Sequence, residues 1–153
     1  MRVSVDIFFV RIDGARCVFQ VSMIDLGRAD MDPDGVVADR ALRRHPELAE
    51  AGHELVIHST SWRRQGSRIL LTYLVYSDQL AFRGRVRRLR LSEMPSPQNT
   101  KSVPSARALA SHALRHLAFL YAEDPSRYDD RLATNTRRQL KRLRPAVAGR
   151  LRR

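Results

Sequence analysis

His112 and His116 stand four residues apart, with Glu123 seven further on, so all three would project from one side of a helix. Two imidazoles at that spacing can share a metal ion. The HExxH glutamate is missing and Glu123 falls at the end of the helical pattern, so no metal is assigned. A second group, His58, Ser59, Ser61 and Tyr73, lies in two segments rich in β-formers. Together with His112 and His116 it outlines a pocket between a hairpin and a helix, where a histidine could activate a serine for acyl transfer. Neither a nucleophile elbow nor a third orienting residue accompanies the pair. Half-buried strands also carry Ser and Thr routinely. No catalytic residue and no cofactor are assigned, and this small-enzyme or ligand-binding reading stands as the alternative.

The third group is cationic. Arg83, Arg85, Arg87, Arg88 and Arg90 crowd one short segment, and Arg137, Arg138, Lys141, Arg142 and Arg144 another. The net charge is +12; residues 1–76 hold 10 basic and 10 acidic side chains, residues 77–153 hold 18 and 6, so the whole excess sits in the second half. Such asymmetry points to an anionic partner, a nucleic acid or an acidic protein surface. The planar guanidinium fork suits phosphate and carboxylate. No aromatic residue is interleaved from Arg137 onward, so contacts there would be to a backbone rather than to stacked bases.

The elements that must hold these residues follow from periodicity and turn chemistry. RVSVDIFFVRI, residues 2–12, reads as a strand, Asp13-Gly14 as a hairpin turn, and Arg16 to Asp25 as the returning strand. Phe8, Val10 and Ile12 then share a core face with Cys17, Phe19, Val21 and Met23. The opposite face, with Gln20 and Ser22 among its aliphatics, would be half covered and open to a second copy of the chain. In the polar loop 26–35, Asp30, Asp32 and Asp34 imitate a calcium loop without its glutamate, and Asp32-Pro33 reads instead as a helix start. A short helix to Arg44 follows, broken at Pro46.

Leu55 to Trp62 and Ile69 to Tyr76 form a second hairpin around Gln65-Gly66. A two-residue loop there pairs Arg64 with Ser67 and sets His58 opposite Tyr73, with Ser59 and Ser61 on the face of Thr72. FRGRVRRLRL, residues 82–91, carries arginine in both phases, which suits an irregular edge strand. Leu109, Ala110, Ala113, Leu114, Leu117, Leu120 and Tyr121 give a long helix an apolar stripe. A further helix is expected from Pro125 to Leu143, then a basic tail, 144–153. The fold class is therefore α+β: an antiparallel sheet of four to five strands, ββα then ββ plus the basic strand, with helices on one face and residues 1–143 as one domain.

The strings HSTSWR (58–63), LTYLVY (71–76) and HALRHLAFL (112–120) together resemble an uncharacterised bacterial family found mainly in cyanobacteria. The resemblance covers about half of the chain and implies a cytoplasmic housekeeping or assembly role, with no activity attached. A lone cysteine, no signal-peptide layout and no run of membrane-span length fit that location. The leading expectation is a non-catalytic adaptor that docks an anionic partner through its second half.

Overall fold

Val3, Val5, Ile7 and Phe9 alternate with Phe8, Val10 and Ile12, so apolar side chains leave both faces of the first strand. Such a strand needs cover on two sides. The computed structural model, which describes residues 1–28, 32–51, 55–95 and 104–150, provides it. In chain order the elements are β1 (Arg2–Asp13), β2 (Arg16–Arg28), α1 (Pro33–Arg44), α2 (Leu48–Ala51), β3 (Val56–Gln65), β4 (Arg68–Tyr76) and β5 (Arg87–Arg90). A 3₁₀ turn (Leu91–Glu93), α3 (Ala106–Glu123), α4 (Pro125–Tyr128), α5 (Thr134–Arg142) and the two-residue β6 (Gly149–Arg150) complete it. The sheet order is β5-β2-β1-β4-β3-β6.

The fold is the α+β class expected, and the sheet is mostly antiparallel. The central β1–β4 pair is parallel, with Phe8 beside Leu74 and Val10 beside Tyr76. The hairpin at Gly14 closes on the Asp13–Arg16 pair. Gly14 sits at φ +57°, which the missing Cβ makes inexpensive. The basic strand is an edge, as its two-phase arginines require: β5 pairs only with β2 among the described residues.

Helices cover both faces, not one. α3 seals Phe8, Val10, Ile12, Cys17, Phe19, Leu74 and Tyr76 with Leu109, Leu114 and Leu117. Val37 and Ala41 of α1, with Leu48 of α2, close over Val5, Ile7, Phe9 and Val75 on the other side. The face expected to be open to a second copy is thus internal. Gln20 donates to the carbonyls of Arg83 and Arg85 at 2.8 and 2.9 Å, and Ser22 accepts from Arg40 at 3.4 Å. Val21 and Met23 share the α3 face as expected but lie beyond the helix, exposed.

Asp32 caps α1 through the Asp34 amide, with Pro33 in the first turn, and Ser105 caps α3 through the Ala108 amide. The single helix expected from 125 to 143 is split. Asp78, in the turn two residues beyond β4, accepts the Ala133 amide at 2.7 Å and the hydroxyl of Thr136 at 2.5 Å, so a new helix starts there. Residues 144–150, expected as a tail, lie against the domain: the Ala146 amide donates to the Arg115 carbonyl at 3.1 Å, and β6 runs parallel to β3.

Candidate functional site

The register of the β3–β4 hairpin differs from expectation in two ways. Gly66 takes φ +61°, and the closing pair is Gln65–Arg68, so partners slide by two residues without changing faces. A bulge between Ser59 and Ser61 then leaves Thr60 out of the pairing and exchanges the faces of the residues before it. His58 lies opposite Leu74, not Tyr73, and Ser59 lies opposite Tyr73. His58 and Ser61 therefore share the α3 face with His112 and His116. Ser59 and Tyr73 look the other way, where the Tyr73 hydroxyl donates to Asp34. Of the six pocket candidates, the fold brings four to one side and sets two apart.

The freed Thr60 carbonyl accepts from His112 Nε2 at 3.1 Å. His116 Nδ1 donates to the Ala146 carbonyl at 3.1 Å, and its Nε2 lies 3.0 Å from His58 Nδ1. His58 Nδ1 is also 2.8 Å from the Ser59 carbonyl, so it must carry the hydrogen and His116 Nε2 must accept. A proton on His116 Nε2 would face another donor. Burial lowers the pKa of His112 and His116, more than their carbonyl partners raise it, and His58 adds to the lowering at His116. These imidazoles are neutral tethers: His112 holds α3 to β3, and His116 holds it to the 144–146 strap. Glu123 is exposed, and no group of three or more His, Cys, Asp and Glu suited to a metal occurs among the described residues. No serine hydroxyl bonds a histidine among them, which leaves acyl transfer without its nucleophile–base pair.

Beside the histidines lies a group that the alternation of types did not reveal. On the α3 face three neighbouring strands place Asp6, Thr72 and Ser61 in one row and Ser4, Leu70 and Arg63 in the next. Arg63 is 8% exposed and reaches Asp6 through Nη2 alone, at 3.4 Å. Burial raises the Asp6 carboxyl above the usual range, with Arg63 only partly opposing it. Ser4 Oγ, Ser61 Oγ, Thr72 Oγ1, and Arg63 Nε and Nη1 are buried without a hydrogen-bond partner among the described residues. Arg63 closes the HSTSWR string, and its shared phase with Ser61 was the available signal.

The ten cationic candidates lie elsewhere. Nine are exposed and Arg137 is partly so. Carboxylates stand beside two of them, Glu93 by Arg90 at 3.7 Å and Asp129 by Arg137 at 3.5 Å. No carboxylate from residues 1–76 pairs with any of the ten among the described residues. Arg87 lies over the Phe19 ring at 5.5 Å, and Arg90 stands beside Arg16 across the strands. Both basic elements are tied to one turn: the Leu91 amide donates to Ala15, at 2.9 Å, and the Asn135 side chain to Gly14, at 3.1 Å. Asp30 and residues 151–153 lie outside the described residues.

No described helix is long and apolar enough to cross a membrane. Comparison with protein-family models, curated proteins and solved structures gave no match.

Proposed function

We propose that the protein is a non-catalytic adaptor that docks a polyanionic partner, a nucleic acid backbone or an acidic protein surface, through arginines of β5 and α5. The observation that carries this reading is the anchoring of both basic elements to the Gly14–Ala15 turn, with nine of their ten cations exposed and none paired with a carboxylate of the charge-balanced first half among the described residues. Arg83, Arg85, Arg87, Arg88 and Arg90 would flank one side of that turn, and Arg137, Arg138, Lys141 and Arg142 the other, with Arg144 at the start of the strap. Exposed cations of this kind attract phosphates by counterion release, and affinity then falls steeply with salt. The resemblance of the hairpin and long helix suits a cytoplasmic assembly role.

The test is titration with duplex DNA, with RNA and with an acidic polypeptide at 50 and 200 mM salt. About six phosphate contacts would reduce affinity roughly a thousandfold between those conditions. Replacing Arg87, Arg88 and Arg90 by glutamine should lower the salt slope by about 0.9 for each phosphate that is no longer neutralised. Preference for the polypeptide would identify an acidic protein as the partner. Absence of binding to all three at low salt would overturn the proposal.

A further inference from the structure

Six of the eight side-chain atoms that are buried without a partner among the described residues gather in one corner of the α3 face. They are Ser4 Oγ, Ser61 Oγ, Thr72 Oγ1, Arg63 Nε and Nη1, and His112 Nδ1. Buried polar groups are nearly always satisfied in native proteins, so such a concentration calls for a partner outside the chain. Arg63 is the informative member. Its guanidinium is always charged, and a buried charge is costly unless it is paired. Its one carboxylate contact is long, at 3.4 Å, and made to an Asp6 that burial biases toward the neutral acid. Charge and donors are therefore both in excess here.

We infer that Arg63, Thr72, Ser61 and Ser4 form a binding site for a small free oxyanion of the size of phosphate or sulfate. Neighbouring strands lie about 4.8 Å apart, so one tetrahedral oxyanion can span hydroxyls on adjacent strands of one face. Thr72 is central, beside Ser61 on β3 and Asp6 on β1, with Arg63 and Ser4 in the next row. The guanidinium and three hydroxyls offer hydrogens to the oxygens of the ion. Because His112 gives its Nε2 hydrogen to Thr60, its Nδ1 is an acceptor, which suits an anion that retains a proton, such as hydrogen phosphate. A free ion fits better than a phosphoryl group on a larger molecule: Thr72 is 0%, Ser4 1%, Ser61 2% and Arg63 8% exposed. Solvent reaches the border of the corner at Met23, which pairs with Asp6 on the same face and is 67% exposed. The site is separate from the arginine edge and does not depend on the proposed adaptor role.

The experiment measures thermal stability and calorimetric binding of the full chain with inorganic phosphate, against chloride at equal ionic strength. The site predicts saturable binding at one ion per chain and a melting temperature that rises with the logarithm of phosphate above Kd. Thr72→Val keeps the shape and removes one hydroxyl, and Arg63→Met removes the charge. Each should weaken phosphate binding by about tenfold or more, the loss expected for a charge-assisted hydrogen bond. The Arg87→Gln, Arg88→Gln, Arg90→Gln variant should bind phosphate unchanged, which separates this site from the cationic surface. A nucleoside monophosphate should bind more weakly than phosphate. Absence of a phosphate effect on the wild-type chain, unchanged binding in Thr72→Val, or tighter binding of the nucleotide would each overturn the inference.

Discussion

The two faces of the sheet are built to different standards. The face under α1 is apolar along its length; Gln20, Ser22 and Tyr73 on it each have a hydrogen-bond partner, and His45 Nε2, beside the Phe9 ring, is the one buried side-chain atom there without a partner among the described residues. The face under α3 is apolar at one end and polar at the other. There the strands carry hydroxyls and a guanidinium whose partners the chain does not supply among the described residues. An unsatisfied buried group costs about 1–3 kcal/mol, a large share of a typical stability of 5–15 kcal/mol. One face is therefore accounted for almost wholly by folding alone, and the other is not.

The largest effects test whether the apolar parts are equivalent. Phe8 and Phe9 are adjacent, almost fully buried, and point to opposite faces. Phe8→Ala and Phe9→Ala should each lower the unfolding free energy by about 3–5 kcal/mol in denaturant titrations. A loss well below this on one side would mean that its layer is loosely packed, and the contrast would have to be redrawn as dry against soft.

A sharper test uses Thr72 and Tyr73, neighbours on β4 that face opposite ways. Tyr73→Phe removes a hydroxyl bonded to Asp34 and should cost about 1 kcal/mol. Thr72→Val removes a hydroxyl with no partner among the described residues and, without phosphate, should be neutral or stabilising by up to about 1 kcal/mol. Equal destabilisation by the two would mean that Thr72 is satisfied after all, and the difference between the faces would vanish.

How far these faces were legible in the sequence depended on which device set them. The Asp13-Gly14 turn, the Asp32-Pro33 helix start and the stripe of α3 are local signals, and each stands where expected. The bulge at Thr60 has no glycine or other local marker. Because side chains alternate, one extra residue moved His58 to the α3 face and Ser59 away from it. The split of the last helix depends on Asp78, which contacts Ala133 and Thr136 over more than fifty residues of chain. The parallel β1–β4 pairing is equally non-local: both strands are apolar on both faces, so alternation alone does not choose their neighbours.

The turn itself offers the next test. Gly66 sits at φ +61° with nothing within 4 Å of the position a Cβ would take, so Gly66→Ala would meet backbone strain and no clash. About 1 kcal/mol is expected, read by denaturation. The register, followed by amide exchange on β3 and β4, should survive, because the bulge and the sheet contacts of β4 hold it independently. A register slip in this variant would show that the turn, not the bulge, assigns His58 and Ser61 to their shared face.

The smallest effect is one of pH, and between pH 7.5 and 5 it rests on the two histidines at the polar end. His112 and His116 have folded pKa values below their ordinary 6.5, so each favours the folded state above that value, and the contribution is lost as pH falls through the folded pKa. Asp6 has the opposite sign: its raised carboxyl favours the folded state at pH below 3.8, and this is lost as pH rises through the folded value. Between pH 7.5 and 5 the histidines should dominate, so denaturant midpoints should fall on acidification. His112→Gln keeps an N–H near Nε2 for the Thr60 carbonyl, and His116→Asn keeps one near Nδ1 for Ala146, yet neither titrates. The double variant should therefore flatten the pH profile while retaining most of the stability at pH 7.5. A profile as steep as that of the wild type would place the titration outside this corner and free the imidazoles from the tethering role that their hydrogen bonds describe.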